Sequence, residues 1–143
     1  MSIDEGAAES LEGGCRCGMT RYRTSGKPFK SAYCHCNDCR SATGALAQAW
    51  LMFDGESIKF IKGSPKKYQS SPGALRGFCP ECGTPLWWEG IWHDAPMQMV
   101  PIATLDNPEV YPPDRHASCN ERISWFDIAD DLPRVGGSSP PAR

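Results

Sequence analysis

The chain has 143 residues and a mass of 15.7 kDa; it is 40% hydrophobic and 22% charged, with 14 Gly, 13 Pro and 8 Cys. One domain is expected at this length, burying about two-thirds of the surface its unfolded chain exposes, which excludes a wholly disordered polymer. A formal charge of −2 and a pI near 5.9 give nucleic acid no sequence-independent attraction, no apolar run approaches the about 18 residues of a membrane span, and Met1-Ser2-Ile3-Asp4-Glu5 lacks the basic and then apolar pattern of a secretory leader.

Residues 1–12 are small, polar and acidic, and a flexible leading segment is expected there. Alternation in Thr20–Thr24 predicts a first strand. Cys36–Thr43 (CNDCRSAT) reads as a short helical turn. The apolar runs Ala47–Phe53 and Ser57–Ile61 read as strands. Pro65–Gln69 and Leu75–Phe78 predict two more, divided by the turn signal Ser70-Ser71-Pro72-Gly73. Pro85–Glu89 and Met97–Ala103 follow, and Pro101 implies an edge or a bend in the last. Asn107–Tyr111 is expected to form a second helical turn. Residues 136–143 have linker composition and are expected to be disordered, which leaves 13–135 as the working domain. Short strands at spacings of about ten residues predict a mainly β fold with few helical turns.

The cysteines fall into groups: Cys15 and Cys17; Cys34, Cys36 and Cys39; Cys79 and Cys82; and a solitary Cys119. Such near neighbours in sequence are poor disulfide partners and good chelating pairs. With no leader, a cytoplasmic location is expected, where thiols stay reduced and metal binding is the favoured use. Cys79-Pro80-Glu81-Cys82-Gly83 is a chelating knuckle and Cys15-Arg16-Cys17-Gly18 a tighter one. Together they complete one four-thiolate zinc site, worth on the order of 10–16 kcal/mol of apparent binding energy. Cys34, Cys36 and Cys39 would cap one face of a second zinc, giving two per chain. Cys119, His116, His35 or water are the options for its fourth position. Three thiolates around a divalent zinc leave a net −1, a weak Lewis acid better suited to holding a thiol as thiolate than to activating water.

Gly13-Gly14-Cys15-Arg16-Cys17-Gly18 with Arg21-Tyr22, then Cys34-His35-Cys36-Asn37-Asp38-Cys39-Arg40 with Thr43-Gly44, then Phe78-Cys79-Pro80-Glu81-Cys82-Gly83-Thr84, and the stretch from His116 through Trp125 to Asp131-Leu132-Pro133 resemble the motifs of the glutathione-dependent formaldehyde-activating enzyme family. The resemblance spans residues 11–135. It implies a β-tent fold of coiled antiparallel sheets with two zinc sites, the four-thiolate one structural and the three-thiolate one facing substrate. It also implies a carbon–sulfur lyase type of reaction, the reversible addition of the glutathione thiol to formaldehyde. Partners are thus a small thiol such as glutathione and a small aldehyde, with neither nucleic acid nor membrane among them.

Further candidates come from position. Arg40, next to the last ligand, is placed to meet a substrate carboxylate or the anionic site, and Ser41 and Thr43 to donate hydrogen bonds to sulfur or an oxyanion. His35 is expected to point away from the metal. His116 is expected to be structural, with proton transfer as its other role, and His93 to lie in a loop. Trp87 and Trp88 should face opposite sides of one strand, while Trp50 and Phe53 belong to the core. No residue stands out as a general acid or base. The competing account is a non-catalytic module in which Cys119 closes a second structural zinc site.

Overall fold

The computed structural model describes residues 9–137. A three-stranded antiparallel sheet holds β1 (Glu12–Gly14), β2 (Arg21–Thr24) and β5 (Ile58–Lys62) in the order β1-β2-β5. A seven-stranded sheet holds β3 (Lys30–Cys34), β4 (Gln48–Asp54), β6 (Lys66–Ser71), β7 (Ala74–Phe78), β8 (Pro85–Trp92), β9 (Ala95–Pro101) and β10 (His116–Ala117), in the order β10-β3-β4-β9-β8-β7-β6. Every pairing is antiparallel except β10 with β3, where His116 lies opposite Tyr33 and Ala117 opposite Cys34. One short helix, α1 (Asn37–Thr43), links β3 to β4.

The mainly β expectation holds, and the expected strands appear with small shifts at their ends. The turn at Ser70-Ser71-Pro72-Gly73 closes the β6–β7 hairpin, with Gly73 at φ +77°. Pro101 ends β9, and the chain bends into a 3-10 turn at Ile102–Thr104 instead of extending to Ala103. One expectation is corrected. Asn107–Tyr111 forms turns and bends without a helix. Asn107 Oδ1 accepts the Glu109 N–H at 3.1 Å, and Pro108, Pro112 and Pro113 deny a helix the backbone geometry and donors it needs. β1, β3 and β10 were not anticipated. Residues 1–8 and 138–143, most of the two segments expected to be loose, lie outside the described residues. Within the first segment, Glu12 opens β1 and the Leu11 N–H donates to Thr24 Oγ1 at 3.1 Å.

Central strands feed two separate cores, which is why β4 reads as a continuous apolar run rather than an alternating one. From β4, Leu51 and Phe53 enter one core with Tyr22, Trp87 and Val100. Trp50 and Met52 enter the other with Trp88, Met97 and Met99. Trp87 and Trp88 thus face opposite sides, as expected for neighbours in a strand. Cys15 and Cys79 border the first core, and Cys34, Cys36 and Cys39 the second. Gly90 keeps the second core closed: a Cβ there would sit 2.6 Å from Trp88 Cη2.

Candidate metal centres and the adjoining cavity

The first knuckle leaves the end of β1 and the second the end of β7. Gly18 N–H donates to Cys15 O at 3.1 Å, and Gly83 N–H to Cys79 O at 2.8 Å; Gly83 adopts φ +81°, the left-handed region that lets this turn close. Amides then point at sulfur, with Thr20 N–H 3.3 Å from Cys15 Sγ and Glu81 N–H 3.4 Å from Cys79 Sγ. Thr84 ties the two knuckles, its Oγ1 accepting the Arg16 N–H at 3.1 Å and lying 3.1 Å from Cys82 Sγ. That side-chain contact is the largest of the hydrogen-bond effects pulling the Cys82 thiol down to about 5.

The sulfurs of Cys15, Cys17, Cys79 and Cys82 all lie within 4.8 Å of one another, with Cys15 to Cys17 at 3.5 Å and Cys17 to Cys79 at 3.8 Å. A tetrahedron of sulfurs about 2.3 Å from a central ion has edges of about 3.8 Å. The cluster fits one tetrahedral metal ion.

The second cluster is built by the β3-to-α1 junction. Cys34 ends β3 and Cys36 caps α1, its Sγ accepting the Cys39 N–H at 3.2 Å. Three sulfurs converge within 4.8 Å of one another, all buried. Hydrogen bonding to Cys34 and Cys36, reinforced by burial and by their charge, pushes the Cys39 thiol well above its ordinary value. Three thiolates therefore need a cation to coexist here, and this set also fits one metal ion. Among the described residues no fourth His, Cys, Asp or Glu donor joins them. Cys119 sits apart in the 3-10 turn Cys119–Glu121, its N–H donating to Val135 O at 3.0 Å.

Sulfurs of this second cluster open on a cavity of about 30 Å³, walled by Trp50, Met52, Trp88, Met97 and Met99. Lys30 and Trp92 stand at its half-buried rim, with Lys30 Nζ 4.4 Å from the Trp92 ring centroid; burial lowers the Lys30 ammonium from its usual value. Two charged side chains reach the interior. Arg76 of β7 donates from Nη2 to Asp38 Oδ2 at 2.8 Å, and the same nitrogen lies 3.7 Å from Cys39 Sγ. Sequence reasoning missed this pair. The available signal was a charge between Ala74 and Phe78 on the same face of an otherwise apolar strand.

Arg40 and Thr43 are placed differently from Arg76. Arg40 donates from Nε to His35 O at 3.2 Å and from Nη2 to Glu121 O at 3.1 Å. Thr43 Oγ1 donates to Cys39 O at 2.8 Å and accepts the Ala45 N–H at 3.2 Å, so it finishes α1. Neither lines the cavity, and Ser41 is exposed. His35 is fully buried and turns from the sulfurs toward His116, with Nε2 2.8 Å from His116 Nδ1. His116 Nε2 lies 3.0 Å from Asp130 Oδ2, and Arg134 donates to Asp130 Oδ1 at 2.7 Å. Burial works to raise the Asp130 carboxyl, but these hydrogen bonds outweigh it and hold it at about 2.

No described helix is long and apolar enough to cross a membrane. Comparison with known proteins places this geometry. A crystal structure of a Rhodobacter sphaeroides protein superposes with a TM-score of 0.58 at 19% sequence identity, covering 87% of this chain and 99% of that one, which supports the fold. No curated protein matches the sequence. The family model described as glutathione-dependent formaldehyde-activating enzyme matches residues 10–121, a span that holds both cysteine clusters and the cavity, and the chain belongs to that family.

Proposed function

We propose that this protein is a zinc-dependent enzyme of the carbon–sulfur lyase type. It adds a thiol, glutathione by default, reversibly to formaldehyde or a related small electrophile. One observation carries the reading: Cys34, Cys36 and Cys39 converge beside a cavity with no fourth protein donor among the described residues. A closed set of four protein ligands marks a structural ion, and three with an open position mark a catalytic one. Thiolate sets in a reducing compartment such as the cytoplasm favour zinc. Cys15, Cys17, Cys79 and Cys82 would hold the structural ion and Cys34, Cys36 and Cys39 the other. When bound there, zinc supplies positive charge that keeps an incoming thiol as thiolate at neutral pH.

The chain's own residues do the remaining work. The Cys39 N–H fixes the Cys36 sulfur, and Arg40, bridging His35 O and Glu121 O, holds the turn that carries the three cysteines. Thr43 ends the helix on the far side. These are positioning roles. The tryptophan and methionine walls keep bulk water from competing for the electrophile. In the reaction one carbon–sulfur bond forms, the carbonyl π pair moves to oxygen, and the thiol proton returns to that oxygen through water. NMR exchange between formaldehyde and its glutathione adduct, measured against the uncatalysed background, tests this. Acceleration that Cys36→Ser abolishes is expected. A rate equal to background with two zinc ions bound per chain would overturn the assignment.

A further inference from the structure

Two buried donors at the cavity have no partner. Arg76 is only 5% exposed, and its Nε makes no hydrogen bond, while Nη2 is engaged by Asp38 and Cys39. The indole N–H of Trp50 is also buried and unpaired, and its ring lies 5.9 Å from Arg76 Cζ. Both side chains line the cavity. Leaving a buried donor unsatisfied is costly, more so on a charged group, so two such donors at one cavity call for a ligand that satisfies them.

We propose that the unpaired Nε–H of Arg76, with the Trp50 N–H, forms a binding site for a small oxyanion inside the cavity. A guanidinium N–H makes a charge-assisted hydrogen bond to such an oxygen, and with Nη2 engaged by Asp38 and Cys39 the Nε–H is the Arg76 donor left for it. About 30 Å³ has room for roughly two waters, so the ligand is a one-carbon oxyanion such as formate rather than the body of a peptide. The cavity's fixed charges are Arg76 and Lys30 against Asp38 and the thiolates, so no more than one small anion is expected to bind.

The catalytic use of the site rests on the thiol-addition reading; the binding itself does not. As the thiolate sulfur bonds to the carbonyl carbon, the π pair moves to the carbonyl oxygen. Arg76 receives that oxygen as it gains charge, and water then protonates it.

Formate titrated into the zinc-loaded protein, followed by tryptophan fluorescence, tests the site. Saturable binding is expected, weakened at least about tenfold in Arg76→Lys with zinc per chain unchanged. Should Arg76→Lys fail to fold, Asp38→Asn carries the test: freeing Nη2 is expected to tighten formate severalfold. Equal affinity in wild type and the folded variant, or no saturable binding to the zinc-loaded wild type, overturns the proposal. Thiol–aldehyde exchange on the same preparations separates the two claims. Formate binding that depends on Arg76 without exchange sinks the lyase assignment alone, and exchange with binding indifferent to Arg76 sinks the anion site alone.

Discussion

At the scale of single residues, the two clusters differ in what surrounds the sulfur. Cys82 is exposed and held by Thr84, in a set that links two distant stretches of chain; Cys36 is buried, in a set contained within one short stretch. Losing a ligand should therefore have different consequences. Cys82→Ser is expected to release one metal ion and destabilise the fold by a large part of the about 10–16 kcal/mol that such a site provides. Cys36→Ser should release the other ion and leave a folded domain, with metal analysis and thermal unfolding reading both. Trp88→Ala should cost about 3–5 kcal/mol by opening the second core, which denaturant unfolding measures. The cysteine partition was legible because chelating pairs are local in sequence and the ion's valence counts them. Arg76 was not, since its partners Asp38 and Cys39 arrive from 38 and 37 residues away. Arg40 looked better placed from its neighbour Cys39, yet α1 turns it toward backbone carbonyls.

Among the elements, β3 and β10 show how a short pairing organises the site. β3 buries Ser31, Ala32 and Cys34 and half-buries Lys30 and Tyr33, with no clean alternation, and β10 is two residues long, so neither carries a period of two. Their parallel register sets His116 beside the ligand-bearing end of β3, where it bonds His35 and Asp130 and stacks on Tyr33 with ring centroids 4.9 Å apart. His116→Ala should leave His35 and Asp130 without their shared partner and cost about 1–3 kcal/mol. Faster amide exchange at Val135, whose N–H donates to His116 O at 2.8 Å, would report the loosened segment. The sign for Asp130 follows from its depressed carboxyl. Its stabilisation is complete above about pH 4, the ordinary carboxylate range, and is lost as pH falls through about 2. An NMR titration of that carboxyl should give a midpoint near 2. The expected helix at Asn107–Tyr111 failed on an element-level rule, for three prolines in and after it outweigh a favourable start.

For the whole molecule, strands β4, β8 and β9 separate a core bordered by the four-cysteine cluster from a core that walls the cavity. The β-rich class was legible from turn signals and short apolar runs. The division into two cores was not, because it depends on which face each residue of β4 presents once the sheet has formed. Both cysteine clusters would bind a metal as thiolates and so compete with protons, and in the second cluster the Cys39 thiol is raised. Metal affinity there should fall by up to about tenfold per pH unit for each thiol proton displaced, so acidification releases metal and a chelator competition across pH measures it. A position open to a ligand from solution is what would set the Cys34, Cys36 and Cys39 site apart from a structural one. Cobalt(II) substituted into the protein tests it most directly, through the sulfur-to-metal absorption bands before and after adding a small thiol. A spectrum that gains sulfur character on thiol addition in wild type and not in Cys36→Ser is expected; a spectrum already saturated with sulfur and indifferent to thiol would contradict an open position.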